Sequence, residues 1–197
     1  MVEVLGMIDI AELQKRVGAE PDGFWGPRSV AACQAHLLAM MPQPNPAPRS
    51  DERSLKEFYG KAGDESKLER MQFPIPMYYE GRPVNFTRVH RECVPTLLDV
   101  FTEIKSLYGN NKKIMKAATT YDGCYNNRLM RGGSGSTPSL HARGAAIDLD
   151  AGNNGNRTHW PTVATMPIEV MEVFSRHGWL SAGAFWSRDA MHYQFTK

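Results

Sequence analysis

The sequence has no apolar run approaching the ~20 residues that a membrane-spanning helix needs, so no membrane partner is expected. Its first residues, Met1-Val2-Glu3-Val4, lack a basic region followed by an apolar core. No standard secretory signal is therefore expected, and the chain reads as one made in the cytosol. Charge of either sign is not in excess. The net charge is +2, with no basic run of the kind that grips phosphates, so no nucleic-acid partner is expected. Cysteine is scarce, with only Cys33, Cys93 and Cys124. An odd number at wide spacing excludes a disulfide framework and a cysteine-based zinc ribbon. Buried thiols are the main reading, and a Cys93–Cys124 bridge after export is the alternative. Apolar residues, by contrast, make up 42% of the chain, ample for a packed core. A length of 197 residues suits one domain, or one domain plus a small module.

The N-terminal stretch predicts two short helices. Ile10, Leu13 and Val17 fall at helical spacing, with Lys15 and Arg16 on the other side. Asp22-Gly23 marks a turn, and Pro27 fits the first position of a second helix running to about Met40, with Val30, Cys33 and Leu37 inward. Then Pro42, Pro44, Pro46 and Pro48 alternate with other residues, which excludes helix and central strand and predicts a semi-rigid extended spacer. This divides the chain into a helical module at 1–41, a linker at 42–50 and a main domain at 51–197.

In the main domain, Ser54 to Tyr59 predicts a helical turn, and Met77 to Phe86 a hairpin with Glu80-Gly81 at its tip. Pro95 to Leu107 predicts an amphipathic helix, and Lys113 to Thr119 a strand. A long polar loop at Tyr121 to Ser139 is of the length that is usually functional or disordered. A short strand at Ala145 to Leu149, a helix from Ile168 past Phe174 and a last strand at His192 to Phe195 complete the pattern. Without a βαβ rhythm, the expected class is α+β with a small antiparallel sheet.

The chemistry lies in two stretches. Ser139-Leu140-His141-Ala142-Arg143-Gly144-Ala145-Ala146-Ile147-Asp148 separates a histidine and an aspartate by seven residues. On a straight strand they would face opposite ways, so they can meet only if the backbone bends, and Gly144 is where a bend costs least. Asp189-Ala190-Met191-His192 supplies another acid and another histidine, which also need a turn to reach one point. Two histidines, one carboxylate and an open position form a known catalytic zinc arrangement. A further acid can then take a proton from water and give it to a leaving amine. Asp150 reads as a surface acid rather than a partner of a ligand. His159-Trp160 reads equally as groove or core, and Phe185-Trp186 is a candidate substrate contact.

Leu13-Gln14, Asp22-Gly23, Gly26-Pro27 and the helix after them resemble the peptidoglycan-binding module of many cell-wall hydrolases. Ser29 stands where that family usually has threonine, and Phe24 or Trp25 where it has an aliphatic residue. Ser139, His141, Gly144, Ala146 and Asp148, followed by Asp189 and His192, resemble the zinc peptidases that include VanY-type D-alanyl-D-alanine carboxypeptidases and phage L-alanyl-D-glutamate endopeptidases. This second resemblance implies a hedgehog-like α+β domain in which His141, Asp148 and His192 bind Zn2+ and Asp189 is general base and then acid. It also implies an arginine near the substrate, with Arg128 the better match and Arg131 the runner-up, while Ser139, Arg131 and Trp186 are candidate substrate contacts. The two together imply an endolysin-like peptidoglycan hydrolase, expected as a monomer, that reaches the bacterial wall after release from the cytosol. A carboxypeptidase, or a wall-binding protein with a structural metal, are the alternatives.

Overall fold

A computed structural model describes residues 7–130 and 137–197. Helix α1 (Ile10–Val17) starts where the Asp9 carboxylate accepts from the Glu12 amide and stops at Gly18, whose φ of 77° is left-handed. Helix α2 (Pro27–Met40) opens on its proline. The turn between them is organised by the buried Gln14. Its amide nitrogen lies 2.8 Å from Asp22 Oδ1, 2.9 Å from Ser29 Oγ and 3.0 Å from the Phe24 carbonyl. Its oxygen accepts from the Gly23 amide at 2.8 Å. Because Ser29 serves this network, it takes the buried place beside Cys33 and Leu37, and the expected Val30 is only half-buried.

The proline-rich stretch, expected as a spacer, is packed against the rest of the chain. Asn45, Ala47 and Pro48 are buried. Its prolines have no N–H to give, which leaves carbonyls of the stretch free for a neighbour. Here the neighbour is Lys197, whose amide donates to the Pro48 carbonyl and whose Nζ donates to that of Asn45, both at 2.8 Å.

Helix α3 (Glu52–Tyr59) leads into a long hairpin, β1 (Leu68–Tyr79) and β2 (Arg82–His90). At its tip Glu80 and Gly81 both have positive φ, the hand that matches strand twist in a two-residue turn. The register breaks between Gln72 and Met77, where Pro74 and Pro76 have no N–H to give. Met71, Phe73, Ile75 and Met77 face the core by simple alternation. Onto them packs α4 (Val94–Tyr108), burying Leu97, Val100, Phe101 and Ile104.

The stretch expected as a strand at Lys113 to Thr119 is instead helix α5 (Lys112–Thr119). Asn111 caps it by accepting from the Ile114 amide, and Ile114, Ala117 and Ala118 fall on one helical face. The chain continues as β3 (Tyr121–Gly123), β4 (Ala146–Leu149), α6 (Ala151–Asn154), α7 (Ile168–Arg176), β5 (Leu180–Ser181), α8 (Ala182–Trp186) and β6 (His192–Gln194). Among the described residues these strands form an antiparallel sheet in the order β3-β4-β6-β5, so the architecture is mixed α and β with small antiparallel sheets.

The N-terminal helices share the core of the main domain. Leu13, Val17, Cys33 and Leu37 are continuous with Phe174, Trp179, Tyr193 and Phe195. Arg16, expected on the solvent side, reaches across to α7. Its Nε and Nη2 each lie 2.7 Å from the Glu172 carboxylate, and His36 Nε2 lies 2.9 Å from the same group. The edge of Trp25 meets Trp160, with ring centroids 5.6 Å apart. The three cysteines are buried free thiols. Among the described residues no helix is long and apolar enough to cross a membrane.

Candidate active site

His141 sits on a short 3-10 turn, Leu140–Arg143, which Ser139 opens by accepting from the His141 amide at 3.3 Å. Gly144 closes the turn with a φ of 65°. A Cβ there would lie 2.6 Å from Leu68 Cδ2 and 2.9 Å from the His90 amide nitrogen. Both handedness and space therefore demand glycine. The chain bends at this point, as the odd spacing requires, and runs into β4, where Asp148 is paired in register with His192 of β6. A second turn brings Asp189 round: the His192 amide donates to the Asp189 carbonyl at 2.9 Å, and Ser187 and Asp189 adopt positive φ, 56° and 61°.

The two stretches converge on one point. His141 Nε2 lies 3.2 Å from His192 Nδ1 and 3.2 Å from Asp148 Oδ1, and His192 Nδ1 lies 3.0 Å from Asp148 Oδ1. Ligands about 2.0–2.1 Å from a tetrahedral ion lie roughly 3.3 Å from one another, so this near-equilateral triangle fits a zinc ion. The His141 ring is aimed from behind by the Cys124 carbonyl, 2.6 Å from its Nδ1. With the proton on Nδ1, Nε2 keeps its lone pair for the triangle. His192 Nε2 lies 3.1 Å from Gln194 Oε1. Burial alone would raise the Asp148 carboxyl, but the two imidazoles against it outweigh burial and hold it well below the usual range, in the ionised form that ligates.

Asp189 shares a cavity of about 350 Å³ with Asp148 and His192. Burial raises its carboxyl, opposed by His192, His141 and Arg128 and reinforced by Asp148. Among the described residues its buried Oδ1 has no hydrogen-bond partner, unusual for a carboxylate oxygen and consistent with a group kept for a ligand. Arg128 is half-buried on the wall of the same cavity, and its carbonyl accepts from the Ser139 amide at 3.0 Å. Ser139 and Trp186 also line it, the Trp186 ring lying 5.8 Å from that of His192 at 30°. Arg131 lies outside the described residues.

Asp150, expected as a surface acid, is buried, with a φ of 51°. Burial pushes its carboxyl up to about 6. That carboxylate accepts from the side-chain amides of Asn153 and Asn154. Asn154 then accepts from the Met191 amide through its own carbonyl at 3.0 Å, which fixes the approach to His192. Trp160 belongs to the core, its Nε1 donating to the Met166 carbonyl, while His159 is exposed.

Sequence reasoning passed over Gln194 and the Arg143–Glu52 pair, 2.6 Å apart, which ties α3 to the His141 turn. The signal for Gln194 was its place two residues after His192 on a strand, on the same face. Comparisons with curated proteins and with solved structures gave no match. A family model described as D-alanyl-D-alanine carboxypeptidase does match, over residues 132–195. The segment from residue 132 to the end of β6, which carries His141, Asp148, Asp189 and His192, is thus similar to the D-alanyl-D-alanine carboxypeptidases.

Proposed function

We propose that this chain is a zinc-dependent peptidoglycan hydrolase that cuts the stem peptide as an L-alanyl-D-glutamate-type endopeptidase. The observation that carries the proposal is the triangle of His141, Asp148 and His192 with Asp189 beside it in one cavity. These three residues would hold the ion. When bound, it would supply Lewis acidity, polarising the scissile carbonyl and bringing the pKa of a water to about 7.

The rest of the chemistry falls to the chain itself. Asp189 takes one proton from the attacking water as its oxygen bonds to the carbonyl carbon. It then returns that proton to the amine nitrogen as the C–N bond breaks. Arg128, on the same wall, steadies the negative charge that develops on the carbonyl oxygen. Trp186 offers a flat apolar surface to the peptide. A purely structural metal site has no use for the fourth group, Asp189, which argues against a non-catalytic wall-binding protein.

The fold would be the hedgehog-like one that the resemblance implies. The N-terminal helices would engage the wall, and the protein would act as a phage-type endolysin after release from the cytosol. A second reading, a D-alanyl-D-alanine carboxypeptidase with the same site, is favoured by the description of the matched family.

Mass spectrometry of muropeptides after digestion of purified wall tests both readings. New N-terminal glutamate signals with falling turbidity identify the endopeptidase. Free D-alanine alone identifies the carboxypeptidase. Intact muropeptides with zinc-loaded protein would overturn the hydrolase reading itself.

A further inference from the structure

We infer that Gln194 is a positioning residue that fixes the tautomer of His192, so that Nδ1 rather than Nε2 is the ligand atom of this ring. The inference rests on the zinc reading above. A neutral imidazole carries one N–H, and the nitrogen that faces a cation must be the bare one. It is His192 Nδ1 that points into the triangle, at 3.0 Å from Asp148 Oδ1 and 3.2 Å from His141 Nε2. The proton then belongs on Nε2, inside the protein, where it needs an acceptor. Gln194 Oε1 stands 3.1 Å away.

The amide is held in the orientation that offers its oxygen. Gln194 Nε2 lies 2.7 Å from Thr196 Oγ1 and 3.4 Å from Ser50 Oγ, so both amide hydrogens face oxygens. Ser50 in turn donates to Thr196 at 3.0 Å. Gln194 and Thr196 are both buried, which limits competition from water for the bond between them. The two histidines are thereby oriented in opposite senses. The Cys124 carbonyl takes Nδ1–H of His141, and the Gln194 carbonyl takes Nε2–H of His192. Outer partners of this kind raise ligand basicity, and losing one typically costs about 10–100-fold in metal affinity.

The test compares zinc affinity, by competition with a chromophoric chelator, in the parent, Gln194→Leu and Gln194→Glu. Gln194→Leu removes the acceptor and should bind zinc about 10–100-fold more weakly. Gln194→Glu keeps an acceptor and should restore affinity to the parent's level or above. Long-range 15N–1H correlation spectra of the zinc-loaded parent should show the His192 proton on Nε2, which decides the matter even if Gln194→Leu does not fold. Undiminished zinc affinity in folded Gln194→Leu, or a His192 proton on Nδ1, overturns the inference while leaving the metal reading intact. A parent that binds no zinc overturns both.

Discussion

The turn around Gln14 and the turn around Gly144 are both built from short, recognisable sequence patterns, yet they spend their polar atoms differently. In the first, Gln14, Asp22, Gly23 and Ser29 satisfy one another. In the second, His141, Asp148 and His192 aim potential ligand atoms at a common point, and among the described residues Asp189 keeps a buried oxygen without a partner. A pattern whose polar groups close on themselves holds a shape. One whose groups converge on a shared space is equipped for a ligand. The same contrast appears at larger scale: Arg16 and His36 of the N-terminal helices are consumed by Glu172 of α7, whereas Arg128 faces the cavity.

The sharpest way to break this comparison is to remove Asp189. Asp189→Ala should retain one equivalent of zinc by elemental analysis yet lose about 10²–10⁴-fold in wall hydrolysis. A variant that lyses wall as well as the parent would sink the proposed mechanism. His141→Ala should lose the zinc itself, and stoichiometric binding by that variant would take His141 out of the ligand set. Next comes Gly144→Ala, which adds a left-handed alanine and a collision with Leu68 and His90. It should cost on the order of 2–4 kcal/mol in denaturant unfolding and impair zinc binding along with stability.

A change in the first turn should move stability alone. Gln14→Leu deletes a buried hub and should cost about 2–3 kcal/mol, read as a lower melting temperature. Turnover of soluble muropeptides per folded molecule should stay at the parent's level. If turnover fell with it, the two regions would not be separable in the way described. The smallest effect concerns Glu172. Burial would raise its carboxyl, but hydrogen bonds with Arg16 and His36 outweigh that and lower it from the ordinary value of 4.5. A group depressed by folding stabilises the protein above its unfolded value, and the gain is lost as pH falls through its folded value. Glu172→Gln should therefore cost about 1–3 kcal/mol near neutral pH and flatten the loss of stability below pH 4.5. Parallel unfolding curves for parent and variant across that range would refute this.

The residues that converge were legible in the sequence chiefly through the resemblance, which names His141, Asp148 and His192 together where spacing alone leaves a metal role open; Gly144 marks the bend that joins His141 to Asp148. Most helices were legible for the same kind of reason, their caps and apolar faces being local. The failures came where tertiary context decides. Lys112–Thr119 carries two β-branched residues, Ile114 and Thr119, but its capping Asn111 and the Ile114, Ala117, Ala118 face make it a helix against the core. The proline-rich stretch has a composition common to spacers, and nothing local shows that Lys197, far along the chain, will bind its carbonyls. Gln194 carries little signal by residue type, and only its alternation with His192 places the two on the same face. Asp150 reads as a surface acid in the sequence because only the fold reveals that two asparagines three and four residues on close over it.

The left-handed backbone at residue 189 restricts which carboxylic acid that position can use. Among residues with a side chain, aspartate and asparagine tolerate this region best, because a short polar side chain can bond to its own backbone. Glutamate has the same chemistry and a longer reach, but not that tolerance. A library randomised at this codon and selected first for soluble protein should return asparagine and glycine beside aspartate. Selection for lysis should then leave aspartate.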